Sequence, residues 1–190
     1  MKKYIAIYVL AGSSMVSLAQ SVEKPRGEAS VVFESAGGKW QKAVITDQLT
    51  GESSVAYSLD AEPSMTDTVT ARHPRIAFYC QKSGEFDRVR IRTGTTIGNQ
   101  ATSVSVYSFG WAQLSTRGDD QQVKTWATDI ARNGSDFLID KGMISDLVAH
   151  KKFVVRFAST SGNMITDEYL TGGLLIRSLK ADCPAFFKDK

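Results

Sequence analysis

The chain has 190 residues, 42% of them hydrophobic, with 23 Lys and Arg against 20 Asp and Glu for a net charge of +3. That balance excludes the basic excess that wraps nucleic acid or coats an anionic membrane. The length suits one domain, which buries about 70% of the surface its unfolded chain exposes and so folds without depending on cross-links.

Met1-Lys2-Lys3 followed by the apolar run Tyr4 to Val16 and the small-residue exit Ser17-Leu18-Ala19 reads as a secretory signal peptide over residues 1–19, cleaved before Gln20. The run is too short to span a bilayer, so no stable membrane insertion is expected after cleavage. Loss of Lys2 and Lys3 lowers the net charge from +3 to +1. The expected location is the periplasm or the exterior of a bacterial cell.

Residues 20–38 are polar and read as a lead-in segment, with Val31-Val32-Phe33 able to add one edge strand. Residues 39–190 read as a single β-rich domain. Trp40 to Thr46 and Ser53 to Leu59 flank Asp47-Gln48-Leu49-Thr50-Gly51, whose Asp and Gly suit a hairpin loop. Pro74 opens a strand over Arg75 to Gln81, and Ser83-Gly84 turns the chain into a second over Phe86 to Arg92. Ser103 to Phe109 and Phe153 to Ser159 read as further strands.

Ser135 to Leu138 and Met143 to His150 read as short amphipathic helices. Thr171 is a plausible N-cap for a C-terminal helix over Gly172 to Cys183, with Leu175, Ile176, Leu179 and Cys183 on one face. The pattern predicts a mainly β fold: an antiparallel β-sandwich with one or two packed helices, the last of them C-terminal.

An oxidising compartment favours pairing of the two cysteines, Cys80 and Cys183, as a structural disulfide; the alternative is two free thiols, one a nucleophile. Arg88, Arg90 and Arg92 alternate with Val89 and Ile91, so a strand points three guanidinium groups to one side. Such a face clamps carboxylates or phosphates, or serves as a solvated face that discourages edge pairing. These three arginines are the candidate ligand- or partner-binding residues.

No residue set reads as a catalytic centre, and no metal or cofactor is expected. His73 precedes a proline, and His150 ends a helical stretch beside Lys151. The one S-x-x-K, Ser21 to Lys24, lacks partner motifs, and Gly94 to Gly98 lacks the lysine of a phosphate loop. Arg117-Gly118-Asp119 spells an adhesion tripeptide of little information. Asp47, Glu52, Asp60, Glu62, Asp167 and Glu168 would form a glycosidase pair if two converged, and otherwise occupy turns and solvent faces.

Several elements taken in order carry a family resemblance: Trp40 before the Asp47 to Gly51 turn, the strand ending Asp60-Ala61-Glu62, Pro74 to Cys80, the basic strand Arg88 to Arg92, Trp126 before Gly134 to Leu138, and Leu170 to Cys183. In this order the chain resembles the VasI/TagO group of accessory proteins associated with type VI secretion systems, over about residues 39–183. The family's cysteine-bearing segment ahead of the core is missing here, and no tryptophan follows Cys183. The resemblance implies a periplasmic or cell-envelope accessory role, another envelope or secretion-system protein as partner, and pairing of Cys80 with Cys183.

The function expected is therefore that of a non-enzymatic exported accessory or binding protein of the cell envelope, without nucleic acid as partner. The rival readings are a periplasmic peptidoglycan hydrolase and an inhibitor- or immunity-type module presenting a loop such as Ala112 to Gln122.

Overall fold

A computed structural model describes residues 29–63, 72–81, 88–98 and 108–187. The expected signal peptide, the Ser21 to Lys24 motif, the expected Ser83-Gly84 turn and residues 103–107 of an expected strand lie outside them.

Among the described residues, ten strands form one antiparallel sheet. In chain order they are β1 (Ser30–Ser35), β2 (Gln41–Thr46), β3 (Ser53–Asp60), β4 (Arg75–Gln81), β5 (Arg88–Arg92), β6 (Ser108–Gly118), β7 (Lys124–Ala131), β8 (Asp136–Leu138), β9 (Phe153–Ala158) and β10 (Met164–Tyr169). Helix α1 (Lys141–Ala149) joins β8 to β9, and α2 (Ile176–Asp182) with a 3-10 turn (Pro184–Phe186) closes the chain. The spatial order is β1-β2-β3-β4-β5-β8-β7-β6-β9-β10. The fold is thus mainly β and antiparallel with two helices, the second C-terminal, as the pattern predicts.

The two faces of the expected sandwich are halves of this single sheet, which curls over its own core. Strands β8 and β9 are three steps apart, about 14 Å in a flat sheet at the usual strand spacing. Yet the Phe137 and Phe157 rings meet edge to face with centroids 5.5 Å apart. The bridge between Ile97, which follows β5, and Ser159, which follows β9, closes the same curl. Beyond β3, the Glu62 N–H donates to Glu168 O on β10 at 2.7 Å.

Strand identity follows period-two burial. Phe153, Val155 and Phe157 of β9 point inward, and so do Ile76, Phe78 and Cys80 of β4 and Val89 and Ile91 of β5. The β2–β3 loop forms where Asp47 Oδ1 accepts the N–H groups of Leu49 (2.7 Å) and Thr50 (3.1 Å), and Gly51 takes a positive φ of 71°.

Four readings change. Ser135 to Leu138 is not helical: residues 136–138 form β8, pairing with β5 and β7. Its four residues are too few for a helical period to be told from alternation. Ala112 to Gln122 is not a free loop: Ala112 to Gly118 belongs to β6, whose inward positions Ala112, Leu114 and Thr116 are buried. Small and hydroxyl side chains there hide the alternation. β7 and β10 carry polar outer faces and were not expected. The C-terminal helix starts at Ile176, without a side-chain cap, and Thr171 Oγ1 instead donates to His150 O at 2.6 Å. The delay has a steric cause: Gly172-Gly173 turns against Gly37-Gly38, where a Cβ on Gly38 would come within 2.3 Å of Gly172 O.

Cys80 and Cys183 are joined by a disulfide across 103 residues, with Cα atoms 5.2 Å apart. The bond fastens the end of α2 to the inner face of β4. Around it, Phe78 packs against Trp40 (5.7 Å) and Phe186 (5.9 Å). The indole Nε1 of Trp40 donates to Thr171 O at 3.0 Å, tying β2 to the segment before α2. No helix among the described residues is long and apolar enough to cross a membrane.

Candidate functional site

Residues directly opposite in neighbouring strands share a face of the sheet. The register pairs Arg88 with Tyr79, Arg90 with Ala77 and Arg92 with Arg75. Val89 and Ile91 lie in the core, so the three arginines stand together on the outer face, as their alternation predicts.

The electrostatics of that face centre on Asp136, which pairs in register with Arg92 and whose side chain is 1% exposed. Arg90 Nη1 donates to its Oδ2 at 3.3 Å, and Arg92 Nε lies 3.8 Å from Oδ1. One buried carboxylate thus faces two guanidinium groups, leaving a positive charge uncompensated within this trio. The Arg90 guanidinium also lies over the Tyr79 ring, 6.0 Å from its centroid, while Arg90 Nε is buried without a hydrogen-bond partner among the described residues.

Two hollows meet at Arg88. One, of about 480 Å³, is lined by Tyr79, Gln81, Arg88 and Arg90. The other, of about 700 Å³, lies between β5, the start of α1 and the C-terminal turn, lined by Arg88, Leu138, Asp140, Lys141 and Phe186 among others. Asp140 caps α1 by accepting the Met143 N–H at 2.8 Å. The sequence points to the arginines but not to Tyr79, which it places within the Arg75 to Gln81 strand without a role, nor to Asp136, which it places on a helix.

Four of the candidate carboxylates are engaged elsewhere. Asp60 pairs with Arg75 (2.5 Å), Glu62 with Lys39 (2.6 Å) and Glu168 with Lys152 (2.7 Å). Asp167 forms a buried pair with Arg72 at 2.8 Å, and Arg72 also donates to Thr93 O at 2.9 Å. In Arg117-Gly118-Asp119, a Cβ on Gly118 would fall 2.3 Å from the His150 ring, and the Asp119 carboxylate accepts the Lys152 N–H at 2.9 Å. That tripeptide is structural in its last two residues. His150 Nδ1 lies 2.6 Å from Asp146 O, at the end of α1. Among the described residues no group of three or more His, Cys, Asp or Glu is placed to hold a metal ion.

No protein-family model and no curated protein sequence matches this chain. Among solved structures, invasion associated protein B from Bartonella henselae is similar at a TM-score of 0.44 and 13% identity, over 79% of this chain and 97% of that one.

Proposed function

We propose that the protein is an exported, non-enzymatic accessory or binding protein of the bacterial cell envelope, and that the outer face around Arg88, Arg90 and Arg92 is its binding surface. The observation that carries the reading is the alignment of three guanidinium groups in register beside an exposed tyrosine and an open hollow, with one buried carboxylate between two of them. Planar guanidinium groups fixed this way recognise carboxylates or phosphates bidentately. The Cys80–Cys183 disulfide supports a life outside the cytoplasm, because such bonds persist in oxidising compartments.

The finer form of the reading is service to a type VI secretion system, supported by the ordered likeness of residues 39–183 to the VasI/TagO group. The test is capture from native periplasm with wild type and with the Arg88→Glu, Arg92→Glu double variant. A partner retained by wild type and lost by the variant supports the reading. Equal retention by both, or release of muropeptides from purified cell walls, contradicts it.

A further inference from the structure

The outer face continues beyond the arginines. Reading the registers across the sheet, Phe33 on β1 faces Ala43 on β2, Ala43 faces Ala56 on β3, Ala56 faces Tyr79 on β4, and Tyr79 faces Arg88. The next row runs Val31, Ile45, Ser54 and Gln81, and the row on the other side runs Ser35, Gln41, Ser58 and Ala77. Ala43 and Ala56, flanked by Ile45, Ser54, Gln41 and Ser58, therefore make a floor over β2 and β3 between two aromatic walls. Phe33 is 71% exposed and Tyr79 38%. Three strand steps set the two Cα atoms about 14 Å apart, wide enough for one chain of rings to lie between the side chains.

On the opposite face, α2 packs against β2, β3 and β4: Tyr57 donates to Asp182, Lys42 pairs with Asp182, and Cys80 is bonded to Cys183. On the outer side, two hollows share Gln81. One is the 480 Å³ space beside Arg88 and Arg90, and the other, of about 360 Å³, is lined by Ile45, Asp47, Glu52, Ser54 and Gln81 among others. They place cationic groups beside Tyr79 and acidic groups at the β2–β3 loop, so the trough over the floor is bordered by opposite charges.

We infer that this trough binds a glycan strand bearing carboxylates on some of its sugars. The floor strands β2 and β3 each have hydrogen-bonded neighbours on both sides, so their backbone cannot pair with a peptide. Hydroxyl and amide groups of Ser54, Ser58, Gln41 and Gln81 instead match ring hydroxyls, which is what a sugar presents along its whole length. Phe33 offers an exposed ring face. Tyr79 is partly exposed with Arg90 over its ring, and exposed aromatic rings stack on the C–H faces of sugars. Arg88 and Arg90 take a carboxylate beside Tyr79, while Asp47 and Glu52 repel one at the β2–β3 loop, which selects a strand whose acidic sugars are spaced by neutral ones.

The inference deepens the binding-face reading and rests on it. Its test is titration calorimetry of the mature protein with peptide-free peptidoglycan strands, whose lactyl carboxylates fall on alternate sugars, with chitohexaose as the neutral counterpart and hexaglutamate as the acidic peptide. The strands bind most tightly; Phe33→Ala and Tyr79→Ala each weaken that binding about tenfold, and Arg88→Gln weakens it about fivefold while leaving chitohexaose unchanged. Matching thermal midpoints show that the variants fold. No strand binding, a preference for hexaglutamate, or wild-type affinity in both aromatic variants overturns the inference. If a protein partner is still captured through Arg88 and Arg92, only the glycan is discarded; if capture fails as well, the binding face is discarded with it.

Discussion

The phenol of Tyr57 on β3 donates to Asp182 Oδ2 at 2.5 Å, one residue before the cysteine that fastens α2 to the sheet. Lys42 Nζ holds the same carboxylate oxygen at 2.8 Å. Burial first, and then the hydrogen bond to Asp182, push the Tyr57 hydroxyl well above its ordinary value. Burial, with Asp167 nearby, does the same to Tyr169, whose hydroxyl has no hydrogen-bond partner among the described residues.

Alkali therefore destabilises the fold. Tyrosines of the unfolded chain ionise near pH 10, while native Tyr57 and Tyr169 keep their protons. Above that pH the unfolded chain binds fewer protons, so stability is complete below pH 10 and falls as pH climbs from there toward the raised native values. Urea unfolding at pH 8 and pH 11 measures the fall. The Tyr57→Phe, Tyr169→Phe double variant shows a smaller fall than wild type.

Loss of the cross-link acts on α2 first. The Cys80→Ser, Cys183→Ser variant loses about 2–4 kcal/mol, since a long closed loop no longer restricts the unfolded chain. Urea midpoints read the loss. Hydrogen exchange of amides 176–183 accelerates more than that of β9, because the helix is only seven residues long and cannot hold itself.

The contact between two glycine pairs permits no side chain. A Cβ on Gly37, whose φ is 92°, would lie 2.1 Å from Gly173 O. Gly37→Ala costs roughly 2 kcal/mol or more, combining backbone strain with a clash against backbone. Gly51, also at positive φ but with nothing within 4 Å of its Cβ position, provides the control. Gly51→Ala has the smaller effect on the thermal midpoint.

Neutralising Asp136 unsettles the arginine face. Asp136→Asn removes the buried carboxylate from Arg90 and costs about 1–3 kcal/mol, read by urea unfolding. Combining it with Arg90→Gln costs less than the two single losses together, because both act on one pair.

Much of this was written in the residue pattern. Alternating runs with strong turns mark β3, β4 and β9, because each buries side chains at alternate positions and has a clear Gly, Pro or Asp boundary, and β2 is marked by the Asp47 to Gly51 turn that follows it. The arginine face was legible for the same reason. β6, β7 and β10 were not: their inward positions include Thr116, Thr128 and Asp167, polar groups whose burial depends on partners elsewhere in the chain, such as Trp126 Nε1 donating to Thr116 and Arg72 pairing with Asp167. The trough was hidden as well, since Phe33 and Tyr79 lie 46 residues apart and meet one face only through the registers of three strand pairs.

Intact-mass spectrometry of protein recovered from the periplasmic or extracellular fraction, alkylated without reduction, decides whether the domain is exported and held by one internal cross-link. The expected product lacks residues 1–19 and carries no alkyl group until a reductant is added, after which it gains two. A full-length chain confined to the cytosol, with both thiols alkylated at the outset, would contradict it.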